Sequence, residues 1–171
     1  MEELINQIRK SLDANLYYLA LFSSLAIPDM CGAIESANGR ATVEKYKKWY
    51  EKYVYPRYQT ITAEECYEYR CTALHQGKSS PNKQNANYDR ILFIEPSPSK
   101  KMNINVKRIN TPNESAIMID LEEFCLAIID GVDIWLNQKK GTPQFEKNIK
   151  NFMHRYPNGL GQYTKGISTI S

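Results

Sequence analysis

The sequence predicts a mainly α fold: a helical bundle of about five to six helices, with a small three-stranded antiparallel β meander inserted between the helical stretch that ends at Gly77 and the C-terminal helices. Three observations carry it. Apolar residues recur at helical spacing over Asp13–Ile27, Thr42–Tyr55 and Leu121–Lys139. The stretch Thr62 to Gly77 has both helix ends marked, since Thr62 followed by Glu65 is a capping-box pattern and Gly77 suits a left-handed helix stop. Between them and the C-terminal helices, Arg90–Glu95, Asn103–Ile109 and Ala116–Leu121 are short β-prone runs divided by Pro- and Asn-rich turns.

Each element has its own signal. Glu2 to Lys10 reads as a short helix leading into Asp13–Ile27, which is apolar nearly all round and so belongs in the core or against a second subunit. Pro28-Asp29 suits the first turn of a new helix reaching Ser36. In Thr42–Tyr55, Tyr46, Trp49, Tyr50 and Tyr53 share one face, and Lys45, Lys48 and Lys52 another. That is the pattern of an aromatic core stripe with a solvated basic face, or of a surface that tracks single-stranded nucleic acid. Along Leu121–Lys139 the inward set is Leu121, Phe124, Cys125, Ile128, Val132, Trp135 and Leu136. Thr142-Pro143 opens a last helix to about Arg155, and 156–171 reads as an irregular arm.

The 171 residues suit one domain, 1–171, with its β insertion at about 90–120. A formal charge of +3 neither demands nor opposes a nucleic-acid partner. Its distribution is uneven: Lys78 to Asn110 holds Lys78, Lys83, Arg90, Lys100, Lys101, Lys107 and Arg108 against Asp89 and Glu95, a surplus of five. Lys78, Lys83, Lys100 and Lys101 are candidate substrate-binding residues, able to draw RNA phosphates toward the preceding helix. Lysine on turns and strand edges also blocks edge-to-edge aggregation. Cys31, Cys66, Cys71 and Cys125 form no Cys-x-x-Cys pair, so no zinc site is expected. The N-terminus is polar and charged, and the apolar run Leu16–Ile27 falls short of the ~20 residues of a membrane span. A cytoplasmic, membrane-free protein with reduced thiols is the expectation.

No phosphate-binding glycine loop, His-Glu-x-x-His or Gly-x-Ser-x-Gly motif occurs. Cys71 and His75 stand four apart on one helix face, a spacing open to a nucleophile and base or to a buried thiol beside an exposed imidazole. The candidate catalytic residues are Arg70 and His75, a permanent cation and one of only two histidines. On a regular helix their five-residue separation puts them about 140° apart and about 7.5 Å along the axis. Convergence on one phosphate then needs a helix break near His75, the full reach of Arg70, or a second copy across a dimer axis. Asp29 or Glu35 could orient the pair or be ordinary surface carboxylates. A structural role for Arg70 would be an ion pair with Glu64, Glu65, Glu68 or Glu35.

Arg70-x-x-x-x-His75 on a capped helix resembles the Arg-x(4–6)-His signature of the HEPN superfamily, in which the residue after the arginine is often polar and is here Cys71. The resemblance implies a metal-independent endoribonuclease without cofactors that works as a homodimer on RNA. It also implies the role of a toxin or phage-defence effector held by a cognate antitoxin or regulatory protein. Histidine would move the proton and arginine would hold the phosphorane charge. The other class of reading is a helical interaction module that binds a protein or RNA without cleaving it.

Overall fold

Helix α2 (Tyr17–Glu35) passes through the middle of the molecule, with α1 (Glu2–Asp13), α3 (Val43–Tyr53), α4 (Ala63–Gln76), α5 (Leu121–Lys139) and α6 (Pro143–Ile149) packed against it. The computed structural model describes residues 1–81, 88–97 and 107–171, and the six helices lie among these. Two boundaries differ from the sequence expectation. Asn15 takes a left-handed turn (φ 57°) between α1 and α2, so the core helix starts at Tyr17 rather than Asp13. Pro28 does not restart a helix but sits inside α2, its ring buried. Proline there removes one intrahelical hydrogen bond. Burial of Leu21, Leu25, Ile27, Cys31 and Ile34 along the same helix holds the segment together regardless.

By length and composition α2 could cross a membrane, with a mean hydropathy of 1.3 over its apolar window. Half of that window is buried inside the fold. Leu16, Tyr18 and Leu19, at its N-terminal end, remain exposed.

On α3 the aromatic face is core: Tyr46, Trp49, Tyr50 and Tyr53 are all buried, and Tyr46 donates its hydroxyl hydrogen to the Leu25 carbonyl of α2 at 3.3 Å. Helix α5 approaches α3 closely at Gly131. A Cβ there would lie 3.0 Å from Val54 Cγ2 and 3.1 Å from the Tyr53 carbonyl oxygen. The buried residues of α5 include Leu121, Phe124, Cys125, Ile128, Val132 and Trp135, as its periodicity predicts. At the far end of α2, Asn148 of α6 donates both amide hydrogens, to the Ile34 carbonyl at 2.8 Å and the Ser36 carbonyl at 2.7 Å. This meets carbonyls that a helix end leaves without partners.

The sheet corrects the meander. Strand β1 (Arg90–Ile94) pairs in parallel with β3 (Ser115–Asp120), β2 (Lys107–Asn110) pairs with β3 antiparallel, and the order is β1-β3-β2. The strands alternate in direction as a meander's would, but β3 has taken the centre. Ile117 and Ile119 of β3 are fully buried, whereas β2 carries Lys107, Arg108 and Asn110, which suit an edge. The stretch 98–106, which includes part of the expected second strand, lies outside the described residues.

The C-terminal arm is not irregular throughout. Helix α6 stops at Ile149, and β4 (Arg155–Tyr156) pairs antiparallel with β5 (Thr169–Ile170). His154 and Ser171 extend that hairpin with two backbone hydrogen bonds, 2.7 and 3.0 Å. His154 is therefore a strand-flanking residue and not the end of a helix.

Candidate active site

Helix α4 is pinned at both ends. Thr62 Oγ1 accepts from the Glu65 N–H at 3.2 Å, Glu65 Oε2 accepts from the Thr62 N–H at 2.9 Å, and Gly77 closes the helix at φ 63°. The Gly77 and Lys78 amides donate to the carbonyls of Ala73 and Thr72, at 3.0 and 3.2 Å. The last turn, which carries His75, thus has a fixed geometry.

Arg70 turns from α4 toward α2 and meets Asp29 one residue beyond Pro28. Its Nη2 lies 2.6 Å from Asp29 Oδ2, with both side chains less than a fifth exposed. Its Nη1 lies 3.0 Å from Nε2 of the exposed His75. A guanidinium has hydrogens to donate and no lone pair to offer, so His75 Nε2 is the acceptor and the imidazole carries its proton on Nδ1. Of the three routes to convergence, the chain uses the reach of Arg70. Neither a helix break nor a second copy is needed to join the pair.

Burial is the largest influence on Arg70 and works against its charge, but Asp29 and Cys71 together outweigh it and the guanidinium pKa is raised. Burial lifts the Asp29 carboxyl above its ordinary value, against the pull of Arg70 and His75. Around them, Lys47 of α3 pairs with Glu64 and stands 5.5 Å over the Tyr67 ring, and Tyr67 packs edge-on to Tyr46. Burial pushes the Tyr67 hydroxyl up to about 12.

The sequence singled out Arg70 and His75 and weighed Asp29, but offered the wrong carboxylates for an Arg70 ion pair. Glu64 is held by Lys47, and Glu65 by the helix cap and by Arg108 at 3.2 Å. Glu35 accepts from Trp135 Nε1 at 2.6 Å and lies 3.5 Å from Lys139. Asp29 and Arg70 are 41 positions apart, and only the packing of α4 across α2 brings them together. Tyr67 and Lys47 went unnoticed, although Tyr67, Cys71 and His75 recur every four residues on one helix face.

Lys78, exposed, follows Gly77 and lines a cleft of about 410 Å³ whose other walls include Tyr18, Phe22, Tyr69 and Phe93. Lys83, Lys100 and Lys101 lie outside the described residues, as does 82–87, half of the polar stretch from Gly77 to Tyr88. Pro81 and Tyr88, flanking 82–87, are both buried. Burial raises the Cys66 thiol to about 12 and the Cys125 thiol to about 11, which makes both inert as nucleophiles near neutral pH. Among the described residues no group of three or more His, Cys, Asp or Glu could hold a metal ion.

Compared with known proteins, the chain matches no protein-family model, and neither a curated protein nor a solved structure is found to be similar to it.

Proposed function

We propose that the chain is a HEPN-like, metal-independent endoribonuclease in which Arg70 and His75 are the catalytic pair and Asp29 positions the arginine. The observation that supports this most is the 3.0 Å contact between Arg70 Nη1 and His75 Nε2 on an exposed helix end. An RNA phosphate oxygen competes with the imidazole for Nη1, and its arrival frees Nε2. The imidazole then takes the proton of the ribose 2′-OH, and O2′ bonds to the adjacent phosphorus. Arg70 holds the charge of the phosphorane. The bond from phosphorus to O5′ breaks, O5′ takes a proton from water, and the hydroxide so formed takes the proton held by the imidazolium. The products are a 2′,3′-cyclic phosphate and a 5′-hydroxyl.

A toxin or phage-defence role in the cytoplasm suits this chemistry, and all four cysteines are free thiols. The natural partner in this reading is a second copy, covering the exposed Leu16, Tyr18 and Leu19 of α2. A monomeric mass by light scattering, with cleavage intact, removes that partner.

The test of the activity is incubation of purified protein with mixed RNA in EDTA. Cleavage is expected to persist, to end in cyclic or 3′-phosphates, and to stop in Arg70→Ala. A strand with deoxyribose at the scissile nucleotide should remain whole. If wild type cuts no RNA, the second reading stands, a helical module that binds without cleaving. What favours that reading is that both terminal nitrogens of Arg70 are already engaged, Nη2 by Asp29 and Nη1 by His75.

A further inference from the structure

Helix α3 turns a second face toward the ends of α2 and α5. There Lys45, Lys48 and Lys52, spread over about 10 Å of helix, border a cleft of about 370 Å³ together with Lys139 and Glu35. Four ammonium groups against one carboxylate leave a surplus of three, as large as the formal charge of the whole chain. A solvated lysine face explains the exposure of Lys48 and Lys52 but not the concavity beside them.

Trp49 lines the same cleft, is 3% exposed, and has a buried indole N–H with no acceptor among the described residues. The other tryptophan, Trp135, gives its N–H to Glu35 at 2.6 Å. The lysines differ in readiness. Lys45 donates to the Arg40 carbonyl at 2.9 Å, and Lys139 lies 3.5 Å from Glu35. Lys52 rests over the Tyr53 ring at 4.8 Å, and Lys48 is exposed with no partner among the described residues. The burial of Trp49 and Tyr53 leaves no open ring for a base to stack on, so the chemistry that fits is phosphate and not nucleobase.

We propose that this cleft binds the sugar–phosphate backbone of single-stranded RNA, with Lys48 and Lys52 meeting successive phosphates. The proposal shares with the nuclease reading only the identity of the ligand, because the cleft contains neither Arg70 nor His75.

The test uses a short 2′-O-methyl oligouridylate, which lacks the attacking hydroxyl and separates binding from cleavage. Its affinity is read by fluorescence anisotropy across a salt series. In the double variant Lys48→Ala/Lys52→Ala, binding at low salt should weaken about tenfold, and the slope of log affinity against log salt should flatten by about 1.4, at about 0.7 per lost phosphate contact. Lys147→Ala, at an exposed lysine of α6 outside the cleft, should bind as wild type does. Unchanged affinity and slope in the lysine variant overturn the proposal. So does a cleft that takes up inorganic tripolyphosphate while RNA fails to compete for it. Lysine-dependent binding without cleavage in the unmodified strand sinks the nuclease reading alone, and cleavage with no lysine dependence of binding sinks the cleft alone.

Discussion

Arg70 spans about 140° of the α4 circumference to set its Nη1 3.0 Å from His75 Nε2. The contact occupies the one imidazole lone pair that could accept a proton, so in the proposed nuclease the resting site would hold its own base in check until a substrate phosphate competes for Nη1.

His75→Ala is expected to lower RNA cleavage by about 10²–10⁴-fold, the usual worth of a positioned acid or base. His75 is exposed at the end of a capped helix, so the thermal melt should not move. Turnover and melt measured on one preparation check both halves, and normal turnover in the alanine variant removes His75 from the chemistry.

Arg70→Ala leaves Asp29, 18% exposed in the intact pair, without its cation. The expected cost is about 3 kcal/mol, the low end for a broken buried pair. The double variant Arg70→Ala/Asp29→Ala should cost clearly less than the sum of the single variants, since each removes the same contact. Urea unfolding of the four proteins gives the comparison, and strict additivity would show that the pair contributes nothing jointly.

Acid response follows from Asp29. Its folded pKa lies above the ordinary 3.8, because burial outweighs Arg70 and His75. A carboxyl raised in the fold contributes stability that is full below its unfolded pKa and is lost as pH rises through the folded one. The unfolding free energy of wild type minus that of Asp29→Asn should therefore fall as pH climbs from below 3.8 through the acid range. A difference that grows with pH would mean that the ion pair outweighs burial.

Gly131→Ala should destabilise the protein by about 1–3 kcal/mol, as overpacking does. The new methyl would meet Val54, the Tyr53 backbone carbonyl and Trp49 Cη2 at 3.0 to 3.3 Å. The carbonyl belongs to the C-terminal end of α3 and cannot rotate away as a side chain could. Gly141→Ala, a position with φ 86° and nothing within 4 Å, tests backbone strain without a clash.

What could be read in advance was whatever neighbouring residues determine. Thr62, Glu65 and Gly77 interact within one helix, so α4 was legible at both ends, and the aromatic face of α3 and the apolar face of α5 follow from helical period. What could not be read was decided by distant partners. Pro28 looks like a helix start until the burial around it offsets its missing hydrogen bond. The central place of β3 depends on competition among three strands for the buried position, and the C-terminal hairpin on two-residue strands too short to leave a periodic trace. At the site, Arg70 and His75 were legible as a motif because they share a helix. Asp29 was only one carboxylate among several until α2 and α4 were packed together.

Helix α2 is held by two kinds of fastening. Near Asp29 the grip is ionic, through Arg70, whereas beyond Ile34 it is the neutral amide of Asn148 on two carbonyls. Salt screens charges and leaves a neutral amide untouched. Raising ionic strength should therefore slacken the Arg70–Asp29 end of the molecule first, while α6 stays seated. In hydrogen-exchange terms, the amides around Asp29 and Arg70 would lose protection under conditions where those around Ile34 and Asn148 keep theirs.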